Sequence, residues 1–221
     1  MLLTILMPCL NEENNLLYCI KEAKAYLREK QIDGEILIVD NGSKDSSVKI
    51  AKDANVRVET EHKKGYGYAL RKGIESANGD YIIMVDCDGT YDLRHLDVIL
   101  EPLLKGYVFV CGNRFKGGIE KGAMPLSHKI GVKFLSKIGT EKYHVKIHDF
   151  HCGLRGFNGS IAKSFDYTTG GMEFATELIS KFKDYRSIEV PVVLKKCRVR
   201  RKSHLRTIPD GMKHLGYMLK G

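Results

Sequence analysis

No run of 18 apolar residues occurs anywhere in this chain of 221 residues, so no segment read from the sequence spans a bilayer. The six cysteines, at positions 9, 19, 87, 111, 152 and 197, include no C-x-x-C pair, which removes the usual spacing of a redox or zinc centre. Most of them sit inside apolar segments, where a free thiol behaves as a small hydrophobe, so reduced thiols and a cytoplasmic setting are expected. No G-x-G-x-x-G follows the first apolar run, which counts against a dinucleotide-binding oxidoreductase. Low-complexity tracts and fixed-period repeats are missing too, and 43% hydrophobic with 29% charged residues is an ordinary folded composition. The start, MLLTILMPCLNEEN, lacks a basic n-region and meets two glutamates at once, so it reads as a first strand and not as a signal peptide.

This length suits one sizeable domain with a filled core and would crowd two. We read residues 1–193 as that domain and 194–221 as a C-terminal extension. Charge marks the boundary. From Leu194 to Gly221 there are nine Lys or Arg against one acid, Asp210, a net +8, while the whole chain carries +9. So dense a cluster is a solvated face or meets phosphate, nucleic acid or anionic lipid.

Over the first half, apolar β-rich runs alternate with helical patterns. LLTILMP precedes a helix whose Leu16, Ile20, Ala23 and Leu27 form one stripe. EILIVD, NVRVE, DYIIMVD and YVFVCGN read as further strands, with helices opened near Ser43 or Asp45, over Tyr66 to Ala77, and in LRHLDVILEPLLKG. That rhythm predicts an α/β fold: a mostly parallel, twisted sheet with helices on both faces. The second half is less regular: helices are expected around His128 to Ile138 and Met172 to Lys183, then a strand in SIEVPVVLKK. Last comes an amphipathic helix from Pro209 with Met212, Leu215, Met218 and Leu219 on its apolar face. That helix packs on the domain or lies in a membrane interface.

In such sheets ligands bind beyond the carboxyl ends of the strands. Here those ends carry Asn11-Glu12-Glu13, Asp40-Asn41-Gly42-Ser43, Asp86-Cys87-Asp88 and Asn113-Arg114. In extended chain Asp86 and Asp88 face the same side while Cys87 faces the core. Two carboxylates so close repel unless a cation or proton lies between them, and all-oxygen ligands favour Mg2+ or Mn2+. The plainer alternative is an acidic turn with Asp as a local acceptor. Glu12 and Asp40 can accept from ribose or base, Lys64-Gly65 precedes a helix N-terminus able to face an anion, and Arg71 lies two turns into that helix. Arg114 is placed to hold a phosphate oxygen.

MPCLNEENNL, LIVDNGSKDS, KKGYGYALRKGI, VDCDGTYD, GNRF, DFHCGLRGF and EVPV followed by RRKSHLRT resemble, in this order, the family 2 glycosyltransferases of the GT-A fold. They are most similar to the branch that moves a sugar onto a polyprenyl or dolichyl phosphate. The resemblance implies that Pro8, Leu10 and Glu12 line a nucleotide site, that Asp40 contacts the base, Asp86 the ribose or metal, and Asp88 the metal. It implies that Arg114 and Arg198 hold phosphates, that Asp149 lies near the reacting centre, and that Ser203 stands where the family has the serine of an S-K-L segment. Departures accompany it: Asn41 replaces a second acid, Thr90 stands where some dolichyl-phosphate enzymes have a metal-binding glutamine, and His204 replaces a lysine. With no tryptophan there is no Q-x-x-R-W, which argues against the processive polysaccharide synthases.

The expected partners are therefore a nucleotide-sugar donor, UDP favoured and GDP-mannose as the alternative, a polyprenyl-phosphate acceptor and the anionic inner membrane surface. A saccharide hydroxyl acceptor is the rival, and would require Asp149 as a base. A nucleic-acid-binding role for the basic segment is disfavoured, since no aromatics interleave it. A sugar nucleotidyltransferase would be expected to carry a Gly-rich basic loop where this chain has PCLNEEN.

Overall fold

β1 (Leu3–Cys9) is buried along almost its whole length, the pattern of a strand with neighbours on both edges and helices on both faces. It pairs in parallel with β2 (Gly34–Asp40) on one side and β4 (Tyr81–Met84) on the other. The computed structural model describes residues 2–199 and 207–220. The remaining strands are β3 (Arg57–Thr60), β5 (Phe109–Asn113), β6 (Arg155–Asn158) and β7 (Ser187–Pro191). Their order is β3-β2-β1-β4-β6-β5-β7, with β6 antiparallel to both neighbours and every other pairing parallel.

The helices are α1 (Leu16–Glu29), α2 (Ser47–Asp53), α3 (Tyr66–Ser76), α4 (Asp97–Leu104), α5 (Arg114–Gly117), α6 (Leu126–Tyr143), α7 (Gly159–Lys163), α8 (Phe174–Lys181) and α9 (Thr207–Lys220). Gly73 of α3 lies on Leu6 of β1, and Gly156 of β6 lies on Ile99 and Leu103 of α4. Leu6 pairs with Met84 while Gly156 pairs with Ile83, so α3 and α4 cover opposite faces. α1 shares the α4 face, tied to it by the Tyr26 hydroxyl donating to Asp97 at 3.2 Å and by Lys30 to Asp97 at 2.6 Å. The expected mixed α/β sheet, covered on both sides, is what forms.

The first four strands create an opening. From β1 the chain runs outward through β2 and β3, then returns to place β4 on the other side of β1, a topological switch point. Pairing of β1 with β4 stops at Leu6 and Met84, closed by Val85 N–H donating to the Leu6 carbonyl. Pro8 follows in the same parity, so its missing N–H breaks no ladder bond there. Its carbonyl accepts instead from the Cys87 thiol at 3.1 Å, with Cys87 facing inward as the alternation requires.

β6 is the element that sequence patterning missed. RGFN is short, polar at both ends and without apolar alternation, and its core contribution includes a buried charge. Arg155 is fully buried and donates to the carbonyls of Cys152 at 2.8 Å, Ala175 at 2.7 Å and Phe150. It thereby ties β6 and the 149–153 loop to α8. Helix α4 also begins later than its apolar pattern suggests, since Asp92 accepts from Arg94 N–H and from Lys195 Nζ and holds the chain in a turn.

The C-terminal helix packs on the domain. α9 lies against α6 and α8, and its buried stripe is Asp210, His214 and Met218, spaced by four. This corrects the expected apolar face: Met212 and Leu219 point outward, because the polar His214 takes the inner position. Its Nδ1 lies 2.8 Å from the Thr176 hydroxyl, and its ring meets His151 edge-on at 4.2 Å between centroids. Burial depresses the His214 imidazole to about 4, against the opposing Asp210 carboxylate. Among the described residues no helix is long and apolar enough to cross a membrane.

Replacing Arg155 by Met strips three buried carbonyls of their donor, and we expect a loss on the order of 3 kcal/mol or more in urea unfolding. His214 takes a proton more readily unfolded than folded, so its contribution is complete above about 6.5 and falls by about 1.4 kcal/mol per pH unit as acid approaches its folded value. Melting temperature should therefore drop less for His214→Gln than for the native chain between about pH 7 and about pH 5.

Candidate active site

A cavity of about 650 Å³ opens at the switch point between the ends of β1 and β4. Pro8, Leu10 and Glu12 line its β1 side, Asp86, Cys87 and Asp88 its β4 side, and Lys64 and Gly65 one rim. The loops that build it are clipped together by side chains. Ser43 and Ser47 hydroxyls accept from the Asn11 and Glu12 N–H groups at 2.9 Å, and Asn11 accepts in return from Lys44 N–H at 2.8 Å. Asn41 is a three-way clamp: its amide donates to the Glu61 and Lys63 carbonyls and accepts from Gly65 N–H at 2.7 Å. An aspartate could make only the last of these bonds, which gives the departure noted above a physical reason. Gly65 takes φ 150°, and a Cβ there would lie 2.1 Å from the Gly170 carbonyl.

Asp86 Oδ1 accepts from the Tyr66 hydroxyl at 3.0 Å. Burial, reinforced by the Asp86 charge, raises the Tyr66 phenol well above its ordinary range, so it stays a donor. The other Asp86 oxygen lies against the Gly153 backbone, where a Cβ would come within 2.0 Å; the glycine of DFHCG makes room for the carboxylate of VDCD. Asp88 Oδ1 accepts from Thr90 twice, from its N–H at 3.0 Å and its hydroxyl at 2.6 Å. Thr90 thus orients Asp88. Among the described residues no group of three His, Cys, Asp or Glu side chains converges as a metal cage. The acidic pair would share a divalent ion with oxygen atoms of a bound ligand, which fits hard cations such as Mg2+ or Mn2+.

Arg114 enters the cavity from the end of β5. Its Nε and Nη2 donate to Asp149 Oδ2 and Oδ1 at 2.8 and 2.7 Å, and its backbone N–H adds a third bond at 3.0 Å. Burial opposes the Arg114 charge, but Tyr91 and the hydrogen-bonded Asp149 carboxylate outweigh it and hold the guanidinium well above its ordinary value. Asp149 is fully buried and stands behind Arg114, away from the cavity lining. Behind it, Glu189 accepts from the His148 and Asp149 N–H groups and pairs with Lys116 at 2.9 Å.

Three other expected residues lie outside the cavity lining. Asp40 turns its carboxylate to the Gly42 and Ser43 N–H groups at 3.1 to 3.3 Å and shapes the turn after β2. Arg71 stacks over Tyr68 and donates to the Thr169 carbonyl, because its position on α3 faces the 168–171 loop. Arg198 stacks on Tyr18 at 4.1 Å beside Gly89. Ser203 lies outside the described residues. Conversely, His151, Arg155, Asp210 and Lys213 line the cavity without having been singled out. His151 and Arg155 belong to the quoted DFHCGLRGF; Asp210 was visible as the one acid of the basic extension.

The Glycosyl transferase family 2 profile matches residues 4–165. The low-salt glycan biosynthesis hexosyltransferase Agl6 of Haloferax volcanii is 35% identical over 221 residues, covering 98% of this chain and 53% of that protein. The dolichyl-phosphate hexose transferase of the same organism is 26% identical over 159 residues, 72% of this chain and 68% of that one. This chain therefore spans about half the length of the first of them. Glucosyl-3-phosphoglycerate synthase from Mycobacterium tuberculosis, crystallised with Mn2+, UDP-glucose and phosphoglyceric acid, superposes with a TM-score of 0.76 at 17% identity, over 99% of this chain and 78% of that one. That likeness carries the fold. With the profile covering most of the sheet and both acidic strand ends, the chain belongs to family 2 of the glycosyl transferases.

Proposed function

We propose that this chain transfers a hexose, with inversion, from a nucleoside-diphosphate sugar to a polyprenyl phosphate at the cytoplasmic membrane face. UDP is the favoured nucleotide, GDP-mannose the alternative. The observation that carries the reading is the Arg114–Asp149 pair. With both oxygens on Arg114, Asp149 holds a cation for phosphate and is poorly placed to take a proton from a sugar hydroxyl. A phosphate monoester needs no strong base, since its second proton leaves near a pKa of ~6. The relative named as a dolichyl-phosphate hexose transferase supports the same acceptor class.

In this reading Pro8, Leu10 and Glu12 hold the nucleoside, and Asp86 and Asp88 are the residues that would hold Mg2+ or Mn2+. Such an ion, when bound, neutralises charge on the leaving diphosphate. Tyr66 and Thr90 fix the two carboxylates in advance, so little reorganisation is needed as charge develops. Lys64 lies at the cavity rim for a donor phosphate, and Arg114 offers its remaining N–H groups to the acceptor phosphate or the leaving group. A saccharide acceptor keeps one specific support: Asp210 of α9 reaches the cavity and could serve as its base.

The decisive measurement is release of nucleoside diphosphate from a panel of nucleotide sugars, with polyprenyl phosphate or saccharide acceptors and with Mg2+ or Mn2+. We expect turnover with the lipid phosphate that falls at least about 100-fold in Asp88→Ala. Undiminished Asp88→Ala activity would sink the metal assignment, and turnover with saccharide alone, lost in Asp210→Asn, would replace the acceptor. Arg114→Lys keeps the charge but loses the two-point contact, so kcat/KM should drop about 10²- to 10³-fold, and Asp149→Asn should lower it similarly together with the melting temperature. An Asp149→Asn enzyme with native activity would remove the positioning role.

A further inference from the structure

The five most exposed large apolar side chains among the described residues are Leu126 (72%), Ile130 (63%) and Phe134 (62%) on α6, and Met212 (63%) and Leu219 (76%) on α9. The two helices pack against each other. Leu126, Ile130 and Phe134 are spaced by four and make one stripe; Lys129, Lys133 and Lys137, also spaced by four, make a second stripe next to it. From Lys121 to Thr140 there is no Asp or Glu.

This face is outward by construction. On the inner side of α6 the Ser136 hydroxyl accepts from Phe150 N–H at 3.0 Å, and Gly139 sits so close to the Phe150 ring that a Cβ would approach within 2.4 Å. The helix cannot rotate to bury its apolar stripe. Between α5 and α6 the stripe borders a cleft of about 370 Å³ lined by Arg114, Phe115, Ile119, Lys129 and Lys133. Lys133 Nζ lies 5.0 Å over the Phe115 ring. Exposed apolar side chains in a stripe beside lysines do not suit a protein core. They suit the boundary of a bilayer, where apolar groups enter the acyl region and ammonium groups remain at the headgroups.

We propose that the outer face of α6, with Met212 and Leu219 of α9 beside it, docks on an anionic lipid bilayer: Leu126, Ile130 and Phe134 enter the interface, and Lys129, Lys133 and Lys137 pair with lipid phosphates. Docked this way, the cleft beside Arg114 meets the level at which a lipid phosphate lies; in that respect the inference rests on the lipid-acceptor reading. It moves the principal contact from the basic segment 194–206 to α6.

The test is flotation of the full chain with vesicles of phosphatidylcholine alone and of phosphatidylcholine mixed with phosphatidylserine. The native chain should float with the anionic vesicles. L126S/I130S/F134S and K129Q/K133Q/K137Q should each lose about tenfold or more in partition with unchanged thermal melting, while R200Q/R201Q/K202Q keeps most of it. Native-like partition of both α6 variants would overturn the proposal. So would equal retention by duplex DNA, or a native dimer in sedimentation that L126S/I130S/F134S turns to monomer without any vesicle binding. A short, water-soluble polyprenyl phosphate separates the two readings. Turnover of it without vesicle binding sinks the docking alone; vesicle binding without such turnover sinks the acceptor and leaves the docking standing.

Discussion

The Arg114–Asp149 pair is the contact on which the rest of the site depends. A fully buried carboxylate is tolerable only with its oxygens satisfied, and Asp149 is satisfied by one residue three times over. The same bonds fix the end of β5, the 145–153 loop and the cavity wall. Glu189 extends the clamp to β7 by holding the His148 and Asp149 N–H groups and the Lys116 ammonium. Breaking a buried pair of this kind costs about 3–5 kcal/mol, because the surviving partner is left uncompensated. One arginine therefore holds the buried carboxylate, the end of β5 and this wall of the cavity together.

From that anchor the cavity is assembled by polar side chains that replace backbone pairing. Where β1 and β4 part, Asn41, Ser43, Ser47 and Asn11 stitch three strand-end loops together. Gly153 lets the 149–153 loop press against Asp86, while Arg155, buried beneath, spends its donors on three carbonyls. α9 then closes one side, with His214 neutral against His151 and Asp210 and Lys213 on the cavity. The C-terminal helix thus lines the cavity, and the outward faces of α6 and α9 keep large apolar side chains exposed.

Much of this was legible beforehand. Strands β1, β2 and β4 announce themselves as apolar runs ending in acids, since a strand buried on both faces admits no alternation. The acidic pair Asp86 and Asp88 and the inward Cys87 follow from a period of two. β6 was not legible, because its stability comes from a buried arginine and two neighbouring strands instead of from apolar pattern. The partners of Asp40 and Arg71 were not legible for a related reason: a carboxylate after a strand and an arginine on a helix look alike whether they face a ligand or their own backbone.

The sequence by itself determined the sheet class, the loaded strand ends and the family, because period, turn chemistry and ordered motifs are local properties of the chain. Only the tertiary structure decided that Asp149 stands behind Arg114, that Asn41 serves as a clamp, and that α9 lies on the cavity with its apolar residues partly outward. Those are matters of which groups meet across 20 residues or more of chain, and hydrogen-bond saturation of buried polar groups, which no local pattern encodes, settles them.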